Sequence, residues 1–129
     1  MRLKLLNIVV FAENYEELLK WYQDTFKLEI LLKEDGEYHY TELGNENQVI
    51  VGITPAKEIN HQPENPRNNS TILQVEVSDI QELFKNVVDN GGKVIFGPSL
   101  EEQHKFYYGG VTDIEGNQIW IIEEKTSSM

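Results

Sequence analysis

The chain has 129 residues, 40% of them hydrophobic, and a formal charge of −11 from 11 Lys+Arg against 22 Asp+Glu. That length suffices for a core without staples, and the charge opposes contact with phosphate backbones and anionic lipid surfaces, so neither nucleic acid nor membrane is an expected partner. With no cysteine, disulfides, thiolate metal ligands and cysteine nucleophiles are excluded.

Arg2 to Phe11 reads as a buried first strand. Its two basic residues and apolar run superficially resemble a signal peptide, but the run is short and no small-residue cleavage site follows. No apolar segment approaches the ~20 residues needed to span a bilayer, and the expected location is cytoplasmic. Asn14 followed by Glu17 is a capping-box pattern. Behind it Leu18, Leu19, Trp21, Tyr22 and Phe26 recur at helical spacing, predicting a helix from Tyr15 to Phe26. Leu28 to Lys33 reads as a strand, Asp35-Gly36 as a hairpin turn, Glu37 to Leu43 as the next strand, Gly44 to Asn47 as a turn and Gln48 to Thr54 as a fourth strand.

Residues 55–70, with prolines at 55, 63 and 66 and little that is apolar, form the expected linker. Thr71 to Val77 is a strand. Asp79 with Glu82 repeats the capping pattern, and Ile80, Leu83, Phe84, Val87 and Val88 make an amphipathic helix from Asp79 to Asn90 that Gly91-Gly92 stops. Lys93 to Phe96 is a short strand, Gly97-Pro98 a loop, and Lys105 to Thr112 a strand. The closing stretch turns on Asp113, Gly116 and Asn117 into the apolar strand Gln118 to Glu123.

Each half reads β-α-β-β-β. Sliding the chain against itself by 65 residues lays Tyr15–Asp24 on Ile80–Asp89, with Glu17 on Glu82, Leu18 on Leu83, Lys20 on Lys85 and Asp24 on Asp89. The expectation is an α+β domain of two tandem βαβββ modules, 1–54 and 71–129, forming a cupped mixed sheet with the helices outside and a cavity inside.

Duplicated βαβββ modules, a first helix ending in WYQDTF and a closing turn Asp113-Ile114-Glu115-Gly116-Asn117-Gln118-Ile119 resemble the vicinal oxygen chelate superfamily. That superfamily includes glyoxalase I, bleomycin-resistance proteins and extradiol dioxygenases. The turn departs from the family pattern at Ile114, where relatives usually have proline. The resemblance implies one divalent metal held by the first and last strands of each module. Carried over position by position, those ligands fall on Asn7, near Val51, on Ile72, and on Trp120, where the usual residue is glutamate. None of the four is a good ligand, so no metal or other cofactor is expected.

Alternation from Asn7 turns Leu5, Val9 and Phe11 inward; alternation from Ile72 turns Gln74 and Glu76 inward; alternation from Trp120 adds Gln118 and Ile122. The expected ligand-binding wall is therefore Asn7, Val9, Phe11, Val51, Ile72, Gln74, Glu76, Gln118 and Trp120, mostly apolar with a few polar groups. Alternation does not assign an inward face to Tyr38, Tyr40, Tyr107 and Tyr108. His39, His61 and His104 show no ligand spacing to one another and read as structural or solvated.

The function expected is metal-free sequestration of a small aromatic or cationic compound, as in the bleomycin-resistance branch. The alternative is an enzyme: a divergent metal-dependent lyase or dioxygenase, or a metal-free isomerase with Glu76 or His39 as general base. A homodimer is expected, because relatives with two modules commonly pair and open sheets leave edges for a second chain to cover.

Overall fold

A computed structural model describes residues 1–2, 4–46, 48–59 and 71–124. The chain divides into two compact units, Met1–Glu64 and Asn65–Met129. In the first, β1 (Ile8–Ala12) leads to α1 (Tyr15–Phe26), β2 (Glu29–Asp35), β3 (His39–Asn45) and β4 (Gln48–Pro55), followed by a 3-10 turn, Ala56–Ile59. In the second, β5 (Leu73–Val77) leads to α2 (Ile80–Asp89), β6 (Lys93–Glu101), β7 (Phe106–Thr112) and β8 (Gln118–Glu123). Each unit holds a four-stranded mixed sheet, ordered β1-β4-β3-β2 and β5-β8-β7-β6. The first and last strands of each unit pair in parallel and the rest antiparallel. This is the α+β, βαβββ architecture expected from the sequence.

Each helix covers one face of its own sheet and leaves the other open. Helix α1 packs on β3 and β4 through Leu18, Leu19, Trp21, Tyr22 and Thr25. Beneath it lie Thr41, Leu43, Val51 and Ile53, all at 0% exposure. Burying a side chain such as Leu18 or Ile53 contributes about 1.5–3 kcal/mol. The ring of Trp21 stands edge-on to Tyr22 and Phe26, at centroid separations of 5.0 and 5.9 Å. Helix α2 packs on β6, β7 and β8 through Ile80, Leu83, Phe84 and Val87.

The helix ends differ from one another. Asp79 caps α2 as expected, its carboxylate accepting from the Glu82 N–H at 3.1 Å, and Glu123 accepts from the Ile80 N–H at 3.1 Å. At the other end Gly91, at φ +90°, lets the Gly92 and Gly91 N–H groups close on the Val87 and Val88 carbonyls, which is a Schellman motif. At α1 the expected Asn14 capping box does not form: the Asn14 side chain makes no capping hydrogen bond. Glu16 and Glu17 supply the favourable charge in that first turn instead. Helix α1 ends at Lys27, a non-glycine residue in the left-handed region with φ 58°.

Several strand boundaries differ from expectation, those of β1, β6 and β3 among them. β1 begins at Ile8 rather than Arg2; it is an edge strand whose single neighbour, β4, meets it from Val51 onward, so Lys4, Leu5 and Leu6 stay exposed. β6 runs through Gly97-Pro98, which is a cis peptide, instead of stopping at Phe96. Proline is tolerated there because β6 is an edge strand whose register shifts between Phe96 and Ser99. β3 extends to Asn45, and Asn45 faces Gln48 across the turn. Of the linker expected at 55–70, Pro55 closes β4 and Ala56–Ile59 form the 3-10 turn; residues 60–70, His61 among them, lie outside the described residues.

Candidate functional site

The open face of the second sheet is aromatic. Cross-strand pairing puts Gln74 beside Trp120 and Glu76 beside Ile122. The next strand sets Gly110 beside Trp120 and Tyr108 beside Ile122. Phe96 reaches the same face from β6: its ring lies so close over Gly110 that an added Cβ would meet it at 2.4 Å. Phe96 stands edge-on to Trp120 at 5.9 Å and packs at 6.2 Å from Tyr108, which meets Phe106 at 6.2 Å. Glycine at 109 performs the same service on the opposite face, where an added Cβ would meet Phe84 of α2 at 2.4 Å. Two adjacent glycines thus let aromatic rings lie against both faces of β7.

These rings floor a groove of about 330 Å³ lined by Gln74, Phe96, Phe106, Tyr108, Trp120 and Ile122, with Glu101 at its lip. A second hollow of about 480 Å³ continues past Phe106 and Ile122 to Glu76, Glu123 and Glu124. Both fall in the range of small-molecule sites. Glu101 is held below the usual carboxylate range chiefly by the His104 N–H, then by the Gln103 N–H and the His104 ring. His104 is engaged there, on an exposed loop.

The open face of the first sheet carries a polar centre with apolar flanks. Pairing aligns Val9 with Gly52, Gly52 with Glu42, and Glu42 with Leu32, a single row across all four strands. Over Gly52, Asn7 Nδ2 donates to the Tyr40 hydroxyl at 3.1 Å, and that hydroxyl donates to Glu42 Oε2 at 2.7 Å. Burial raises the Tyr40 phenol above its ordinary value, as does its hydrogen bond to Glu42. Phe11 and Val9, at 37% and 42% exposure, share the face.

Of the wall expected from sequence, Asn7, Val9 and Phe11 share the open face of the first sheet, and Gln74, Glu76, Gln118 and Trp120 that of the second, with Ile72 just ahead of β5 in the same alternation. Val51 is a correction: paired with Ile8, it lies wholly buried on the helix side, and Gly52, one residue on, takes the open face. Leu5 precedes the strand and is 76% exposed. His39 is likewise turned away, bound to Glu58 at 2.7 Å and packed edge-on to Tyr15 at 5.8 Å. Tyr40 and Tyr108, whose facing the alternation leaves open, belong to the open faces, as do Glu42, Phe96 and Phe106, which were not singled out beforehand.

A family model, the Glyoxalase/Bleomycin resistance protein/Dioxygenase superfamily, matches residues 4–121. The chain belongs to this superfamily. Solved structures share the fold at low identity. A glyoxalase/bleomycin resistance protein from Albidiferax ferrireducens T118 is 20% identical at a TM-score of 0.70, covering 94% of this chain and 98% of its own. Hypothetical protein SA1046 from S. aureus is 16% identical at 0.73, with 96% and 95% covered. A glyoxalase I mutant from Zea mays is 17% identical at 0.74; this chain spans 46% of that longer one. No curated protein matches.

The divalent metal of the superfamily's enzymes does not fit the donor set here. Its positions carry the Asn7 amide, the bare backbone of Gly52, aliphatic Ile72 and the Trp120 indole. Among the described residues no three His, Cys, Asp or Glu side chains are grouped to hold an ion. Also among those residues, no helix is long and apolar enough to cross a membrane.

Proposed function

We propose that this glyoxalase/bleomycin-resistance superfamily member is a metal-free small-molecule-binding protein that holds an aromatic cation in the groove of its second sheet. The observation that carries the reading is Trp120, which replaces a ligating glutamate with an indole and meets Phe96, so that aromatic faces line an apolar trough. Glu76, Glu101, Glu123 and Glu124 line the groove and its continuation. A cation over an aromatic face contributes about 0.5–2 kcal/mol, and the charge of −11 draws cations from a distance.

The test is fluorescence titration with N-methylquinolinium and with 1-methylnaphthalene, its neutral isostere. The expected result is saturable quenching by the cation, lost in Trp120→Ala, with the neutral compound at least tenfold weaker. Absence of saturable quenching, or equal affinity for the two compounds, overturns the reading. Stoichiometric nickel, zinc, iron or manganese in the purified protein overturns its metal-free part.

The same reading includes a cytoplasmic homodimer. Its support is apolar surface on the outer strands, Ile30 and Leu31 on β2 and Val94 and Ile95 on β6, all at least 37% exposed. Light scattering showing a constant mass of 15.0 kDa up to high micromolar concentration rejects the dimer.

A further inference from the structure

We infer that the Asn7–Tyr40–Glu42 chain over Gly52 is a second binding site, one that recognises the ammonium group of a primary alkylamine on the open face of the first sheet. The argument begins with the direction of the hydrogen bonds. Asn7 gives an N–H to Tyr40, and Tyr40 gives its O–H to Glu42. Every O–H or N–H used along that chain points toward the carboxylate, so the capacity left over is mostly that of acceptors, the Asn7 carbonyl oxygen and the remaining lone pairs of Glu42, beside the second Asn7 Nδ2–H as the one spare donor. A site rich in acceptors and bearing one negative charge suits a group that is all donor and positively charged, and a primary ammonium has three N–H donors. Burial and the Glu42 bond both keep the Tyr40 phenol protonated, which keeps the chain pointing that way.

The geometry adds shape. Gly52 is where the chain lies flat on the strand: an added Cβ would stand 2.6 Å from both Asn7 Nδ2 and the Tyr40 hydroxyl. On the same cross-strand row Val9 and Leu32 flank the polar centre, at 42% and 40% exposure. The sequence of groups across the sheet is therefore apolar, polar with one charge, apolar. That fits an ammonium head seated on Glu42 and Asn7 with an alkyl body lying along Val9 or Leu32. The site shares no residue with the aromatic groove and stands or falls independently of it.

The experiment is a titration of the uniformly 15N-labelled full chain, followed by its backbone and side-chain amide resonances, with hexylammonium, hexanol and hexyltrimethylammonium. The expected result is saturable movement of the Asn7 side-chain amide and the Gly52 amide with hexylammonium. Hexanol, which lacks the charge, and hexyltrimethylammonium, which lacks N–H donors, are expected to bind at least tenfold more weakly. Glu42→Gln is expected to weaken hexylammonium at least tenfold. Silence at Asn7 and Gly52, or equal affinity for hexanol or the trimethyl compound, overturns the site, and these comparisons need no variant. Unchanged affinity in a well-dispersed Glu42→Gln spectrum overturns it as well.

Discussion

Asp113→Ala is expected to destabilise the second unit by about 2–4 kcal/mol. Asp113 is 2% exposed, and its carboxylate accepts three bonds: the Glu115 N–H at 2.8 Å, the Asn117 N–H at 3.0 Å and Asn117 Nδ2 at 2.8 Å. Hydrogen bonds to a charged acceptor are worth about 1.5–3 kcal/mol each. The lower total reflects that Glu115 and Asn117 are half-exposed, so water recovers part of the loss. Two backbone bonds, Asp113 N–H to the Asn117 carbonyl and Gly116 N–H to the Asp113 carbonyl, survive the substitution and hold the turn in outline. Asp113→Asn keeps an oxygen for the two backbone donors and sets an amide nitrogen against Asn117 Nδ2, so it is expected to cost about half as much. Urea unfolding followed at Trp120, which lies on the strand this turn launches, reads the change as a lower midpoint at constant slope. For a domain of this size each kcal/mol corresponds to roughly 4 °C in melting temperature. A loss below about 0.5 kcal/mol in Asp113→Ala would show that the turn is held by its backbone alone and refute the reasoning.

Lys27→Gly is expected to stabilise the first unit by about 1 kcal/mol, because it relieves a left-handed backbone at the end of α1; a thermal melt unchanged or lowered counts against it. Gly110→Ala is expected to lower stability by about 1–3 kcal/mol and to turn Phe96 off its strand, since the new methyl would enter the ring; near-ultraviolet dichroism reports the loss of aromatic packing, and an unchanged spectrum would refute it. Tyr15 and Tyr40 are both raised above their ordinary value by burial first, so both are expected to ionise late in an ultraviolet titration. The sign follows from linkage: a phenol raised in the folded state contributes stability that is complete below pH 10.0 and lost as the pH climbs through the folded values. Tyr40→Phe is expected to remove one late phenol and soften that alkaline loss, and a titration in which all phenols ionise together would refute it.

The architecture is legible in the sequence because its signals are local: two capping patterns, two amphipathic helices at the same offset, and Gly116 at φ +90° where the closing turn needs it. The open face is legible wherever one residue anchors the alternation, as Asn7 and Trp120 do. It fails by one residue at Val51, because that position is carried over from the family's ligand pattern with no anchor of its own on β4, and a period of two forgives no slip. Glu42 escapes notice and Tyr40 stays unassigned because Tyr38, His39 and Tyr40 look alike to a pattern of polar and apolar. Leu43, buried at 0% under α1, is the anchor that orients that strand. Phe96 reads as the end of a strand because Gly97-Pro98 resembles a loop, and only edge placement makes that strand continue.

Each sheet is completed by pairing its first strand with its last, across a helix and two other strands. Antiparallel neighbours β2 with β3 and β6 with β7 close short loops and form early, while the parallel pairs wait on long ones. Phe96, Phe106 and Tyr108 all sit on such an early hairpin, and Trp120 arrives on the strand that follows. The apolar trough is thus expected to be among the first surfaces the second unit acquires. Such surface is what draws folding intermediates together, and the abundance of like charge along the same chain is what keeps them apart.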